Sequence, residues 1–209
     1  MGKSDGLLFP VYRQLIRRNV VFEPEIKNTA VLGAIVNNYT DLSSDLYDIK
    51  LNNWEINSDW QLPKKYDAII STRCPYFAKD PEDFIKRCHH NLNKDGRIFV
   101  DWGLGDHWRY ENYKIGWVKD GEHEWCYSPD NFLWSTVWDD EFLDHPAYKK
   151  FCKDVEKYGY YDVKKAIFDE VPSIIKLKTI KKYFKVSYNL KTLWSDSPQL
   201  YIMISGVKK

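Results

Sequence analysis

Polar side chains that could take part in catalysis follow two apolar segments of the chain. The first segment is followed directly by the polar residues 71–73, and the second ends at Asp101 and leads to His107. Histidine titrates near neutral pH, so His107 is a candidate general base, and Asp101 or Asp106 could orient its ring. Arg73 could pair with a carboxylate or phosphate of a substrate. A loop histidine is more often only a polar surface group, and that alternative is open.

The sequence around these groups predicts a strand, a helix and a second strand. The apolar run 66–71 is typical of a strand that is buried on both faces. Asp80 and Pro81 are placed to cap and begin a helix with one apolar face. A turn at 94–96 leads to the second strand, 97–101. Such a β-α-β unit has parallel strands and a right-handed crossover.

The segment YDAIIS…DPEDFIKRCHHNLNKDGRIFVDW resembles the fourth and fifth strands of class I S-adenosylmethionine-dependent methyltransferases. In the family's Leu-x-x-Gly-Gly-Arg-like turn, Asp95 stands here where the first glycine usually lies. The stretches 184–193 and 199–207 resemble the antiparallel hairpin that closes the family's sheet. The resemblance covers roughly half of the chain. It implies an α/β fold, a Rossmann-like three-layer sandwich with a mostly parallel sheet, a C-terminal antiparallel hairpin and an aromatic-rich insertion.

The same resemblance implies an S-adenosylmethionine site beyond the carboxyl ends of the strands. In the family, a glycine-rich turn after strand one lets the backbone approach the methionine part of the cofactor, and this chain has Gly33 there. The acidic residue that ends strand two normally binds the ribose hydroxyls, which indicates Asp48. The adenine would be flanked by Asn52, Asn53 and Trp54. Ser71 and Thr72 would lie beside the transferred methyl.

Each of these assignments has a purely structural alternative. Gly33 could be a packing glycine inside a predicted strand 29–36, and Asp48 an ordinary acid in a weaker strand 46–51. Trp54 and Trp60 could cover a sheet edge that a missing helix leaves exposed. Residues 37–65 are few for the strands and helices that the family places there, so at least one helix must be lost, and the loss of a strand is open.

The rest of the chain is expected to complete one domain, residues 1–209. Its weak periodicity predicts helices at 10–19, 147–159 and 171–182. Residues 103–148 form the aromatic-rich insertion, which is too long to remain without structure and is predicted to act as a lid. Its aromatic rings could line an acceptor pocket, although most are expected to form the insertion's own core.

Composition narrows the class of protein. The 209 residues are 44% apolar with a net charge of +1, which favours a folded chain and gives no general attraction to nucleic acid or membrane. No apolar run reaches the ~20 residues of a membrane helix. The four cysteines are widely spaced and are expected to be free thiols of a cytoplasmic protein. His89 and His90 point apart on a helix, so no metal site is expected.

The sequence therefore predicts a methyltransferase that uses S-adenosylmethionine and methylates an oxygen or nitrogen of a small molecule, such as a sugar or related metabolite. The alternative is a non-catalytic methyltransferase-like module that binds or assembles and has lost the cofactor. A third hypothesis, an RNA-modifying enzyme, would need a continuous basic surface that the composition does not favour. A homodimer is left open.

Overall fold

A computed structural model describes residues 3–20, 25–36, 39, 44–104, 116–119, 122–125, 135–157, 173–194 and 199–209. The strands are β1 (Thr29–Leu32), β2 (Ser44–Tyr47), β3 (Tyr66–Ser71), β4 (Leu92–Gly103), β5 (Gly116–Lys119), β6 (Glu122–Trp125), β7 (Ser135–Trp138), β8 (Ser173–Lys176), β9 (Phe184–Trp194) and β10 (Gln199–Lys208). The helices are α1 (Lys3–Val20), α2 (Ile49–Asn52), α3 (Pro81–Asn91), α4 (Asp140–Leu143), α5 (Pro146–Lys157) and α6 (Leu177–Tyr183), with a 3₁₀ helix at Pro75–Phe77.

The central sheet has six strands in the order β2-β1-β3-β4-β10-β9. The first four are parallel to one another, and β10 runs antiparallel to both β4 and β9. The predicted fold class, including the parallel β-α-β unit and the C-terminal hairpin, is confirmed. Since parallel strands end at the same edge, the segments that follow β1, β2 and β3 meet there, next to the end of β4.

Helices cover both faces of the sheet, and strand side chains alternate between them. Ile69 and Val100 pack in the core that includes residues of α3 and α6, whereas Ile70 and Phe99 pack with α1. This alternation follows from the two-residue period of a strand. It explains why a strand buried on both faces has an almost continuous apolar sequence. No helix in the described part of the chain has the length and apolar character that a membrane span requires.

Two predicted strands end earlier than expected. The strand predicted over 29–36 is β1, which stops at Leu32 because Gly33 adopts φ +74° and turns the chain. The strand predicted over 46–51 is β2, which ends at Tyr47, and helix α2 follows directly. Both changes place Gly33 and Asp48 beyond the carboxyl ends of their strands.

The shortened region between β1 and β3 keeps a strand, while α2, with four residues, is the one helix described there. Residues 53–65 form a loop that packs on α3. The Trp60 ring lies 6.1 Å from the Phe84 ring, and the Leu62 N–H donates to Asn91 Oδ1 over 3.0 Å. Loop 53–65 therefore packs on α3, and its Trp54, Trp60 and Leu62 belong to the main core. Covering of a sheet edge by the two tryptophans stays a prediction.

The later part of the chain differs from its prediction in one element. The helix predicted over 147–159 is α5, but residues 171–182 do not form one helix: β8 precedes α6. β8 pairs in parallel with β7, and Val137 of β7 is fully buried in the main core. The single-domain organisation and the lid role of residues 103–148 stay predictions, because much of that segment lies outside the described residues.

Candidate functional site

A cavity of about 710 Å³ lies at the carboxyl edge of the parallel strands. Its wall includes Gly33 after β1, Asp48 and Ile49 after β2, and Arg73 after β3. Residues 54–57 of loop 53–65 form another part of the wall. The cavity is completed near the 3₁₀ helix by Cys74, Phe77 and Lys79. Sequence reasoning anticipated the position, since ligands bind beyond the carboxyl ends of strands in open parallel sheets.

Two independent constraints exclude a side chain at position 33. Its φ of +74° lies in the left-handed region that disfavours residues with a Cβ. A Cβ there would also lie 2.4 Å from Cys74 Sγ. The Gly33 N–H donates to the carbonyl of Tyr47 over 2.7 Å, which ties the ends of β1 and β2 together. Gly33 is thus a packing glycine located in a turn that lines the cavity, and not inside a strand.

Asp48 is positioned by helix α2. Its Oδ1 accepts the N–H of Lys50 over 2.9 Å, as an N-cap does, and its own N–H donates to Asn52 Oδ1. The carboxylate is half-buried and lines the cavity. Oδ2 accepts no hydrogen bond from the described residues, so one carboxylate oxygen is available to a ligand.

Asn52 and Asn53 follow Asp48 in helix α2 and at its end, and Asn52 bonds to Asp48. Asn52 Nδ2 donates to the carbonyl of Leu46 over 3.0 Å, so both ends of its amide fix the end of β2. Asn53 ends α2 with φ 55°, a left-handed conformation that asparagine tolerates. Neither residue lines the cavity. Their contact with an adenine stays a prediction.

Trp54 lines the cavity and is 8% exposed. Its ring meets Trp60 edge to face, with the ring centroids 5.5 Å apart. Its Nε1 is buried and has no hydrogen-bond acceptor among the described residues. Trp54 therefore contributes both to the core and to the cavity wall. A structural role and a contact with the cofactor do not exclude each other.

Loop 53–65 is attached to the segment after β3 by one side chain. Asn57 Nδ2 donates to the carbonyl of Phe77 over 3.0 Å, and Asn57 Oδ1 accepts the N–H of Lys79 over 2.7 Å. All three residues line the cavity. These two hydrogen bonds fix the distance between loop 53–65 and the segment after β3, which lie about twenty residues apart in the sequence.

Arg73 and Asp101 form a buried ion pair beside the cavity. The Arg73 N–H donates to Asp101 Oδ1 over 2.6 Å, and Nη1 lies 3.8 Å from Oδ2. The Asp101 side chain is fully buried, and that of Arg73 is 15% exposed. The guanidinium lies over the Tyr201 ring at 4.4 Å and donates to its hydroxyl. Burial, and then the charge of Asp101, raise the pKa of Tyr12 well above its ordinary value.

Ser71 and Thr72 lie next to the cavity but do not line it. Ser71 Oγ donates to the carbonyl of Leu32, and the Thr72 hydroxyl contacts that of Tyr39. Cys74 does line the cavity, and burial raises the pKa of its thiol to about 12. The thiol is therefore protonated at neutral pH and presents a weakly polar surface. Roles of Ser71 and Thr72 in cofactor binding stay predictions.

The predicted catalytic set is brought together only in part. Arg73 and Asp101 are paired, whereas His107 lies outside the described residues, so its role as a base stays a prediction. Sequence reasoning missed the contributions of Glu55, Asn57 and Lys79 to the cavity. The polar residues after Trp54 were the signal in the sequence. Only the packing of loop 53–65 shows that these residues face the segment after β3.

Comparison with known proteins gives a fold but no close relative. No protein-family model and no curated protein matches the sequence. Among solved structures, 1,6-didemethyltoxoflavin-N1-methyltransferase from Burkholderia thailandensis has a TM-score of 0.56 and 8% identity, covering 99% of this chain and 80% of that one. N-methyltransferase NodS from Bradyrhizobium japonicum has a TM-score of 0.51 and 6% identity, covering 95% and 86%. Together with the strand order and the cavity at the strand ends, these similarities show that the chain has the fold of class I S-adenosylmethionine-dependent methyltransferases.

Proposed function

We propose that this chain is an S-adenosylmethionine-dependent methyltransferase that acts on an oxygen or nitrogen of a small molecule. The observation that carries the proposal is the cavity at the carboxyl edge, where a left-handed glycine, a strand-end carboxylate and an indole ring converge. Both similar structures named above were solved with S-adenosylhomocysteine bound. A shared fold alone does not transfer that ligand, so the residues of the cavity have to fit it.

The residues fit an adenosyl ligand in size and chemistry. A volume of about 710 Å³ lies in the range of small-molecule sites. The available oxygen of Asp48 would accept a hydrogen bond from a ribose hydroxyl. Gly33 contributes its backbone to the cavity wall, with Cys74 filling the space that a side chain would take, and Trp54 offers an aromatic surface beside the adenine.

When bound, S-adenosylmethionine would supply a methyl group on a sulfonium, which is already an activated leaving group. The protein then has mainly to align the acceptor and exclude water. Arg73 is suited to orient an acceptor, because Asp101 and Tyr201 fix its guanidinium at the cavity wall. An acceptor that is protonated at neutral pH also needs a base, and His107 is our candidate for it.

The acceptor class follows from charge and shape. The cavity wall carries two acidic residues, Asp48 and Glu55, and two basic ones, Arg73 and Lys79. This balance suits a small polar metabolite, such as a sugar, better than a polyanion. The chain's net charge of +1 gives no general attraction to nucleic acid or an anionic membrane. We propose that the enzyme is cytoplasmic, because its cysteines are expected to be free thiols, and free thiols are typical of a reducing compartment.

Calorimetric titration with S-adenosylmethionine and S-adenosylhomocysteine tests the proposal. Asp48→Asn keeps an N-cap, since asparagine caps as well as aspartate, but removes the carboxylate. We expect micromolar binding to the natural chain and a dissociation constant raised about tenfold in Asp48→Asn. Asp80→Asn is the matched control: it changes another N-cap, where Oδ1 accepts the N–H of Asp83, outside the cavity wall.

Absence of heat with either ligand would contradict the proposal. That outcome would support the non-catalytic module, which has lost the cofactor. Binding without transfer of a labelled methyl group to a panel of sugars and amines would contradict the proposed acceptor class. Equal weakening by Asp48→Asn and Asp80→Asn would show that the effect comes from helix capping and not from the ligand.

A further inference from the structure

We infer that the amino edge of the central sheet binds the phosphate backbone of a single-stranded nucleic acid, independently of the proposed function. β10 runs antiparallel to β4 and β9, so it ends where β3, β4 and β9 begin. Helices α3 and α6 also end there, because the His89 ring contacts the Tyr183 and Phe184 rings. Six basic side chains lie at this edge, and we call them the basic edge: Lys65, His90, Lys181, Lys182, Lys185 and Lys208.

The lysine at the end of β10 lies close to the lysine before β3. Lys208 Nζ donates to the carbonyl of Leu92 over 2.8 Å. Leu92 pairs with Tyr66 across the sheet, and Lys65 directly precedes Tyr66. Burial lowers the pKa of Lys208, and the positive charge of Lys65 lowers it further. The two ammonium groups therefore repel each other, and a bound anion would relieve that repulsion.

The end of α6 lies beside the same end of β10. Lys208 pairs with Phe184, and the N–H of Lys209 donates to the carbonyl of Tyr183 over 3.1 Å. Three exposed lysines flank these two aromatic residues in the sequence: Lys181, Lys182 and Lys185. Within the part of the chain that the structure describes, none of the three forms an ion pair with a carboxylate. Their charges are therefore available to a partner.

The net charge of +1 averages over two edges of the sheet that differ in charge. Acidic residues are concentrated at the carboxyl edge, where α3 begins and the cavity opens: Asp48, Glu55, Asp80, Glu82 and Asp83. A chain with little overall attraction to nucleic acid can therefore still attract it locally at the amino edge.

Carboxylates near the amino edge each have a lysine beside them that is not part of the basic edge. Asp45 forms an ion pair with Lys64 at 2.9 Å. The Asp67 carboxylate is half-buried and accepts the backbone N–H of Lys27 over 3.0 Å. Asp95 is exposed and follows Lys94 in the chain. These acids leave the charge of the basic edge largely uncompensated.

The shape of the basic edge suits a single strand. Neighbouring strands lie about 4.8 Å apart, so the row from Lys65 at β3 to Lys185 on β9 spans roughly 15 Å. About four phosphates of one strand fit along that length at ~3.4 Å each. Lysines neutralise phosphates as point charges without reading the bases. The exposed His90 ring offers a base a surface for stacking, which an acidic peptide would not use.

Two further observations define the partner. None of the exposed large apolar side chains in the described ranges belongs to these segments, so a membrane would gain no apolar contact here. The six residues of β3 separate the basic edge from the cavity by about 20 Å. The nucleic acid is therefore a docking partner and not the acceptor of the methyl group.

Fluorescence anisotropy with a labelled single strand of about twelve nucleotides tests the inference. We expect a dissociation constant on the order of 1–100 µM at about 50 mM salt. The logarithm of the association constant should fall with that of the salt concentration with a slope of about −3, since each phosphate contributes about −0.7. The double variant Lys181→Gln/Lys185→Gln should bind more than about tenfold more weakly, with a slope reduced by about 1.4.

Two double variants separate the site from the total charge. Lys181→Arg/Lys185→Arg keeps both charges and should bind within about threefold of the natural chain. Lys149→Gln/Lys153→Gln removes the same charge from exposed positions of α5, outside the basic edge, and should also bind within about threefold. Equal weakening by the two glutamine variants would overturn the inference, because only net charge would then matter.

Other probes test the class of partner. Absence of oligonucleotide binding would overturn the inference, and so would tighter binding of polyglutamate or of vesicles containing phosphatidylserine. Calorimetry with S-adenosylhomocysteine keeps this test separate from that of the proposed function. We expect Lys181→Gln/Lys185→Gln to bind that ligand as the natural chain does. A natural chain that binds the oligonucleotide but not S-adenosylhomocysteine would contradict only the proposed function.

Discussion

At the scale of single residues, one contact between two strand ends shapes the cavity. Gly33 and Cys74 follow β1 and β3, which are neighbours in the sheet, and the sulfur lies 2.4 Å from where a Cβ of residue 33 would be. The buried thiol is held protonated by burial, which raises its pKa to about 12, so it can pack against a backbone without a charge. The site therefore depends on a residue with no side chain and on a neutral sulfur.

Gly33→Ala should destabilise the protein strongly. The left-handed conformation costs a residue with a Cβ about 1–2 kcal/mol, and the contact with Cys74 adds to this, so we expect a total loss of about 2–4 kcal/mol. Denaturant unfolding measures the free energy of unfolding. The control is Ile35→Ala, since Ile35 is 53% exposed two residues away and should change stability by less than about 0.5 kcal/mol. Equal stability of the two variants would contradict this account of the turn.

At the scale of elements, helix α3 supports the cavity through loop 53–65. Arg87 Nε donates to Asp83 Oδ2 over 2.6 Å within the helix, and Nη1 donates to Asp59 Oδ1 and to the carbonyl of Trp60. Asn91 accepts the N–H of Leu62. These bonds hold loop 53–65 against α3 and so fix one wall of the cavity.

Arg87→Met should loosen that wall. It removes the bonds to Asp59, Trp60 and Asp83 while keeping an apolar stem, and we expect a loss of about 1–3 kcal/mol in the free energy of unfolding. The near-ultraviolet circular dichroism of the tryptophans should also change. Lys86→Met is the matched control, because Lys86 is half exposed and makes a surface pair with Glu82 that is worth less than about 1 kcal/mol. The account is wrong if both variants lose the same stability.

The seam between α3, α6 and β9 carries a histidine that should make stability depend on pH. The His89 ring contacts Tyr183 and Phe184 edge to face, at 5.9 and 5.6 Å between centroids. Burial lowers the pKa of His89 below its ordinary value of 6.5. The positive charges of Lys208 and Lys65 act in the same direction, while a hydrogen bond to the carbonyl of Lys209 opposes them.

The sign of the effect follows from the two protonation equilibria. The unfolded chain binds a proton at His89 near pH 6.5, and the folded chain binds it only at lower pH. Stability is therefore fully present above that value and is lost as the pH falls through it toward the folded-state pKa. His89→Gln should unfold with a weaker pH dependence between about pH 7 and 5. A constant difference in unfolding free energy between the two proteins over this range would contradict the prediction.

At the scale of the whole molecule, the sequence predicts what is determined locally. The β-α-β unit could be predicted because its strands are apolar on both faces. The start of α3 could be predicted because its cap is local: Asp80 accepts the N–H of Asp83, three residues along the chain. The end of β1 was not readable, since Gly33 turns where it meets Cys74, far along the chain. Ile49 suggested a strand because it is apolar, yet it is 59% exposed in α2. The cavity wall of loop 53–65 depends on partners from α3 and β3, which no local pattern contains.

Since the cavity joins segments that follow three strands, ligand binding should stabilise the whole fold and not a single loop. S-adenosylhomocysteine at a hundredfold its dissociation constant should add about 2.7 kcal/mol, which for a chain of this size raises Tm by roughly 5–10 °C. Homocysteine, which lacks the adenosine, should shift Tm little at the same concentration. If Asp48→Asn raises the dissociation constant tenfold, the same ligand concentration should add only about 1.4 kcal/mol, so the shift in Tm should be roughly halved. A ligand that binds in calorimetry but leaves Tm unchanged must bind the unfolded chain as well, and would not occupy a cavity that exists only when β1, β2 and β3 are assembled.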